Sequence, residues 1–137
     1  MFDEIKVGAR AERSLVVAEE HTAARWGSGE LKVFSTPQML ALMEGAAVDA
    51  VDLLLPPGYQ TVGIQATISH LAATPMGLKV TACAELVAID GRKLSFRVVA
   101  YDEVGKIGEG EHQRYIVEVA RFMEKAEARG KAAASSE

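Results

Sequence analysis

The spacing of apolar and polar residues changes period once along this chain, and the change divides it into a helical part and a sheet part. Residues 34–55, FSTPQMLALMEGAAVDAVDLLL, follow a helical period. At about 100° per residue, Leu40, Glu44, Ala47 and Val51 share one stripe, flanked by Met39, Met43, Ala46, Ala50 and Leu54. Gln38, Gly45, Asp49 and Asp52 make only a narrow polar strip, the pattern of a helix covered by protein over most of its circumference. Its start is marked twice. Either Ser35 caps, with Gln38 three residues on as a capping box, or Thr36 caps with Pro37 at the first helical position. Each assignment leaves one hydroxyl spare. Pro56, Pro57 and Gly58 end the helix.

Beyond that break the period becomes two and stays so to about Phe122. Val62, Ile64, Ala66, Ile68 and His70 form one inward row. Leu78, Val80, Ala82, Ala84, Leu86 and Ala88 form a second, and Leu94, Phe96, Val98 and Ala100 a third. A fourth strand carries Tyr115, Val117 and Val119 on one side. Turn chemistry separates them at residues 72–77, at Asp90-Gly91 and at residues 103–106. Ahead of the helix, residues 14–19 read as a short strand and residues 21–32 as a loop or irregular lead-in placed to form a lid. The predicted fold class is α+β, a long antiparallel sheet wrapped around one central helix, which is the hot-dog arrangement in outline. Residues 1–122 make one such domain, and residues 123–137 a frayed helix or disordered tail. Free edge strands favour pairing of two sheets in a dimer.

Composition narrows the function classes. The chain has 137 residues, enough for one core, and its net charge of −4 disfavours a nucleic-acid binder. Cys83 stands alone, which leaves no intramolecular disulfide and no cysteine-cluster metal site; it reads as a small buried hydrophobe on a strand. The N-terminal residues MFDEIKVGARAERS resemble neither a secretory signal nor a transit peptide, and no apolar run reaches the roughly 20 residues of a membrane helix. The expectation is a cytoplasmic protein without a membrane segment.

Three polar groups do not fit the core pattern: the spare hydroxyl at Ser35 or Thr36, Glu44 on the covered side of the helix, and His70 in an inward strand row. Each has a structural explanation, as a cap, a buried ion pair and a hydrogen-bonded core histidine. Together, hydroxyl, carboxylate and imidazole are the parts of an activated nucleophile or an activated water. Thr36 and Glu44 lie about 12 Å apart along a straight helix, so they cannot bond directly. An imidazole, a substrate or a second subunit must come between them. His21, His70 and His112 lack a spacing that predicts a metal site.

The segments FSTPQMLALMEGAA, VGIQATISHLAATPMGLKVTACAELVAIDGRKLSFRVVAYD and IGEGEHQRYIVEVARF resemble the fluoroacetyl-CoA thioesterase-like branch of the hot-dog thioesterases, from about Val7 to Phe122. The most specific parts are the threonine followed eight residues later by the helix glutamate, the G-x-x-x-x-x-x-H-x-A-A-T-P-x-G segment and the G-x-H-x-R segment. By motif, the resemblance implies Thr36, Glu44 and His70 as catalytic residues. It implies Gly63 beside the thioester carbonyl and Arg114 in the active-site region, with Phe34 beside the acyl pocket. The implied reaction is hydrolysis of a short acyl-CoA to the free acid and coenzyme A, by a homodimer with its active sites at the subunit interface, without a metal or organic cofactor. His70 is then general base or acid and Thr36 its hydroxyl partner. Glu44 is either the base that activates water or a nucleophile. Arg114 either holds Glu44 ionised or grips the CoA phosphates.

The chain departs from the fluoroacetyl-specific pattern just before the helix. Where those enzymes place paired phenylalanines over the acyl pocket, Gly27 and Glu30 stand here, with Trp26 nearby, so a different acyl group is implied. The alternatives are a non-catalytic acyl-CoA-binding or regulatory hot-dog domain and an enoyl-CoA hydratase.

Overall fold

The computed structural model describes residues 1–27 and 29–135. Its centre is α2 (Thr36–Val51), which follows the short α1 (Ala23–Trp26) and continues into a single 3-10 turn over Asp52–Leu54. Around it curls one antiparallel sheet of β1 (Arg10–Val16), β2 (Tyr59–His70), β3 (Lys79–Asp90), β4 (Lys93–Tyr101) and β5 (Lys106–Glu118), in the order β1-β3-β4-β5-β2. The edges are therefore β1 and β2. A last helix, α3 (Val119–Ser135), leaves the sheet with no buried residue.

The core lies between α2 and the middle strands. Met39, Met43, Ala46, Ala47 and Val51 are buried against Val80, Ala82, Ala84, Leu94, Phe96 and Val98. The alanines on both surfaces let helix and sheet approach closely, and Met39, Met43 and Phe96 fill the space that remains. The inward rows expected for β3 and β4 are found as read, except that a register shift between Leu86 and Ala88 turns Ala88 outward to solvent.

Three rows differ from the period-two reading. The first strand begins at Arg10 and ends at Val16, whereas residues 14–19 were expected. Arg13 shares the inward parity of Ala11 and Leu15 but ends in a fork on Asp49 of α2, with Nε–Oδ2 3.0 Å and Nη2–Oδ1 2.8 Å. A charge at an inward position hides the strand from a hydrophobicity pattern. In β2 a bulge between Gly63 and Gln65 shifts the register. Two residues there oppose one on β5, so Ile64 is displaced and the inward row becomes Thr61 and Gly63, then Ala66, Ile68 and His70. In β5 the inward row is His112, Arg114 and Ile116, with Tyr115 exposed; the strand stops at Glu118 and Val119 opens α3. The pattern picked the apolar parity, but two polar side chains occupy the other one because they satisfy each other there. Cys83 also departs from expectation. It lies half-buried on the outward side of β3, where its sulfur accepts from Arg10 Nη2 at 3.2 Å.

Candidate active site

Helix α2 and strand β2 run antiparallel, and along the seam between them polar residues meet at three stations. At the first, Ser35 is the helix N-cap, its Oγ accepting from the Gln38 N–H at 3.3 Å. That resolves the two sequence alternatives and makes Thr36 the residue with the spare hydroxyl. Thr36 Oγ1 and His70 Nδ1 share a hydrogen bond of 2.7 Å. The other ring nitrogen, Nε2, is buried and has no hydrogen-bond partner. Burial pushes the His70 imidazole below the ordinary histidine pKa, only partly opposed by the neighbouring Ala72 backbone. A neutral ring held at one nitrogen, with the other unengaged, has the form of a general base.

A cleft of about 360 Å³ opens beside this pair. Its walls include Leu31, Val33, Phe34 and Leu71, and its polar side is Ser35, Thr36 and His70. Phe34 is almost fully buried, its backbone N–H donating to Thr74 O at 2.8 Å, so its ring is a fixed wall. Trp26 does not line this cleft. Its indole N–H donates to Glu20 O at 2.7 Å, and the ring borders a separate hollow with Glu20, His21, Arg25 and Gln38. Gly27 is the left-handed residue that ends α1 (φ 68°), and Glu30 is exposed.

The second station is Glu44. Its Oε2 is 3.6 Å from Arg114 Nη1, an ion-pair distance beyond hydrogen-bond length, and the side chain is 42% exposed against 7% for Arg114. A methyl group on Gly63 would lie 3.0 Å from Glu44 Oε2, 3.2 Å from His112 Cε1 and 3.3 Å from Arg114 Nη1, so the absent side chain makes room for the carboxylate. The third station fixes Arg114 from behind. Its Nε donates to Thr61 Oγ1 at 2.8 Å and its Nη2 to Thr61 O at 3.0 Å. Thr61 in turn donates its hydroxyl to Asp52 Oδ1 at 2.6 Å and its N–H to Asp52 Oδ2 at 3.0 Å.

His112 closes the cluster. Its Nδ1 is 2.8 Å from Gln65 O, an acceptor, so Nδ1 carries the proton; Nε2 then accepts from Arg114 Nη1 at 3.0 Å. Burial, with Arg114 nearby, pushes the His112 pKa below its ordinary value. Burial also pulls the Arg114 guanidinium down, and Asp52 and Glu44 raise it again.

Thr36 and His70 are thus brought together, and so are Glu44, Gly63 and Arg114, as two neighbouring clusters on one seam. Glu44 and His70 share no hydrogen bond or ion pair. Asp52 and Thr61 carry no functional expectation in the sequence, and His112, although it stands in the G-x-H-x-R segment, carries no stated role there. Two polar residues at alternate positions of a strand, His112 and Arg114, are the available signal, whereas Asp52 falls in the narrow polar strip of the helix.

A curled antiparallel sheet gripping one long helix, with its polar residues gathered where that helix meets an edge strand, defines a hot-dog protein of the thioesterase superfamily. A thioesterase-superfamily protein from Thermus thermophilus superposes with TM-score 0.87 at 29% identity, over 97% of this chain and 98% of its own. The family model for fluoroacetyl-CoA-specific thioesterase matches residues 17–120, and the chain belongs to that family. The fluoroacetyl-CoA thioesterase of Streptantibioticus cattleyicolor is 40% identical, over 91% of this chain and 94% of that protein. A variant of the fluoroacetyl-CoA enzyme solved in complex with acetyl-CoA superposes with TM-score 0.86 at 36% identity, covering 91% of this chain and 98% of that one.

Proposed function

We propose that this protein hydrolyses short acyl-CoA thioesters to the free acid and coenzyme A, with Thr36, Glu44 and His70 as its catalytic residues. The observation that carries the reading is the Thr36–His70 hydrogen bond, which leaves an unpartnered, buried Nε2 beside a cleft with apolar walls. The acetyl-CoA complex of a relative supports an acyl-CoA as the ligand.

In the proposed reaction an oxygen nucleophile adds to the thioester carbonyl, the carbon–sulfur bond breaks, and the CoA thiolate leaves. His70 Nε2 supplies or takes the proton, and Thr36 holds the ring. Glu44 acts either as the base that deprotonates water or as the attacking carboxylate, whose acyl anhydride water then opens. The Gly63 N–H is the candidate donor to the developing oxyanion. Arg114 serves Glu44 and not the CoA phosphates: it is buried and bonded to Thr61 and His112.

The acyl group is not selected for fluorine. Gly27 carries no side chain, Glu30 is exposed and Trp26 turns away, so no aromatic among these three covers the cleft, and its apolar walls of Leu31, Val33, Phe34 and Leu71 suit an unsubstituted acyl chain. The active unit is a homodimer. Strand β2 is a 12-residue free edge, and Ile64 on it and Leu71 just past its end are 50% and 54% exposed. A second copy paired on this edge completes the site at the interface. The domain that does this spans residues 1–122, and the rest of α3, described to Ser135, is appended to it. No helix among the described residues is long and apolar enough to cross a membrane, in keeping with action in the cytoplasm.

Thiol release from acyl-CoAs of graded length tests the reading. Glu44→Ala and His70→Ala are each expected to lower kcat by about 10²–10⁴-fold while the protein remains folded and dimeric by light scattering. Unchanged turnover in both variants overturns the site assignment. Tight acyl-CoA binding with no thiol release from the unmutated protein points instead to a binding or regulatory domain.

A further inference from the structure

A guanidinium has five N–H groups, and beside a carboxylate it normally closes a two-pronged ion pair. Arg114 does not do so with Glu44, and the reason lies in its other partners. Nε is engaged by Thr61 Oγ1, Nη2 by Thr61 O, and one hydrogen of Nη1 by His112 Nε2. One hydrogen is left on each of Nη1 and Nη2, and of the guanidinium nitrogens Nη1 is the one at ion-pair distance from Glu44 Oε2, 3.6 Å away.

Neither anchor of Arg114 is free to relax. Asp52 takes both the hydroxyl and the backbone N–H of Thr61, which obliges Thr61 Oγ1 to offer its lone pair to Arg114. The Gln65 carbonyl takes the proton on His112 Nδ1, which obliges Nε2 to accept. The bulge between Gly63 and Gln65 allows both arrangements on one strand, turning Thr61 and Gly63 inward on one side of it and presenting Gln65 O to His112 on the other.

We infer that Thr61 and His112, with Asp52 behind them, are positioning residues that hold the Arg114 cation next to Glu44 but short of closing on it. The carboxylate gains a neighbouring positive charge and keeps its oxygens free for the reaction. This rests on the proposed role of Glu44 in hydrolysis. A closed Arg114–Glu44 pair would occupy the lone pairs that either role of Glu44 requires, whereas an absent cation would leave the carboxylate mobile.

The test is a set of variants in the full-length protein, measured by thiol release per mole of folded protein. Thr61→Val keeps the shape and removes the hydroxyl; kcat is expected to fall about 10–100-fold, the range for outer partners of a functional group, with KM changed less than about threefold. Thr61→Ser is expected to restore most of kcat. In a Glu44→Ala background, Thr61→Val is expected to add no further loss, since a residue acting only through Glu44 has nothing left to act on. His112→Phe frees Arg114 Nη1; its crystal structure is expected to show the guanidinium closed onto Glu44 at hydrogen-bond distance, with kcat reduced.

Unchanged kcat in Thr61→Val, or a loss that Thr61→Ser does not recover, overturns the inference. So does a loss that multiplies fully with that of Glu44→Ala. If instead Glu44→Ala itself turns over like the unmutated enzyme, the role of Glu44 fails first and the inference fails with it, a result told apart by that single variant.

Discussion

The two sides of helix α2 are built on opposite rules. Towards β1, β3 and β4 it presents Met39, Met43, Ala46, Ala47, Ala50 and Val51, buried among apolar side chains. Its one charged contact on that side, Arg13 with Asp49, lies near the surface, both side chains more than 40% exposed. Towards β2 and β5 it presents Thr36, Glu44 and, just past its end, Asp52, each opposite a polar partner. The first side holds the fold by removing apolar area from water. The second side contributes little such area and spends its space on hydrogen bonds that orient one another. Stability and chemistry are thereby separated across a single helix, which implies that substitutions on the two sides change different measurements.

The largest expected effect is on the packed side. Leu86→Ala removes a side chain that is fully buried on β3, away from the seam, and should cost about 2–5 kcal/mol of unfolding free energy, read as a lower denaturant midpoint. Turnover per folded molecule should stay near that of the unmutated protein, and a selective loss of kcat with unchanged stability would break the division.

Gly63→Ala probes the seam in the opposite sense. The new methyl group must push Glu44, His112 and Arg114 by a few tenths of an ångström, so kcat should fall on the order of tenfold, with a small change in melting temperature. Ser35→Ala is intermediate in character. It removes the cap bond to Gln38 and should cost about 1 kcal/mol. Because Thr36 follows directly, some loss of kcat should accompany it.

Acid titration gives the smallest and most diagnostic effect. His70 and His112 both have folded-state pKa values lowered by burial, so below about pH 6.5, the ordinary histidine value, the unfolded chain takes up protons more readily than the folded one. Stability is therefore full above that pH and declines as pH falls towards the lowered values. Activity should persist below the ordinary histidine range and then fall as the two rings protonate: His70 loses its acceptor, and His112 turns a donor towards Arg114. Replacing His112 by Phe should make the stability decline shallower, and an unaltered slope would remove His112 from this account.

Much was legible from residue order because the relevant signals are local. Helix α2 declares itself by its period, its Ser35 cap and its Pro56-Pro57 stop, and β3 and β4 by strict alternation. Glu44 and His70 attract notice because each is polar in an apolar row. The sequence also determined the family, through motifs that run from the helix to the last strand. What only the tertiary structure decided is which residues share a space. The bulge at Gly63 changes the parity of half a strand, and no count of alternate residues can locate it, because a bulge is set by pairing with β5 and not by the strand's own side chains. The same holds for the inward row of β5. Hydrophobicity assigns that row to Tyr115 and Val117, yet His112 and Arg114 hold it, since a buried polar group is tolerated where partners surround it. Those partners, Asp52, Thr61 and Gln65, come from a helix end and a strand some 50 residues earlier in the chain, and only the curl of the sheet around α2 puts them within reach.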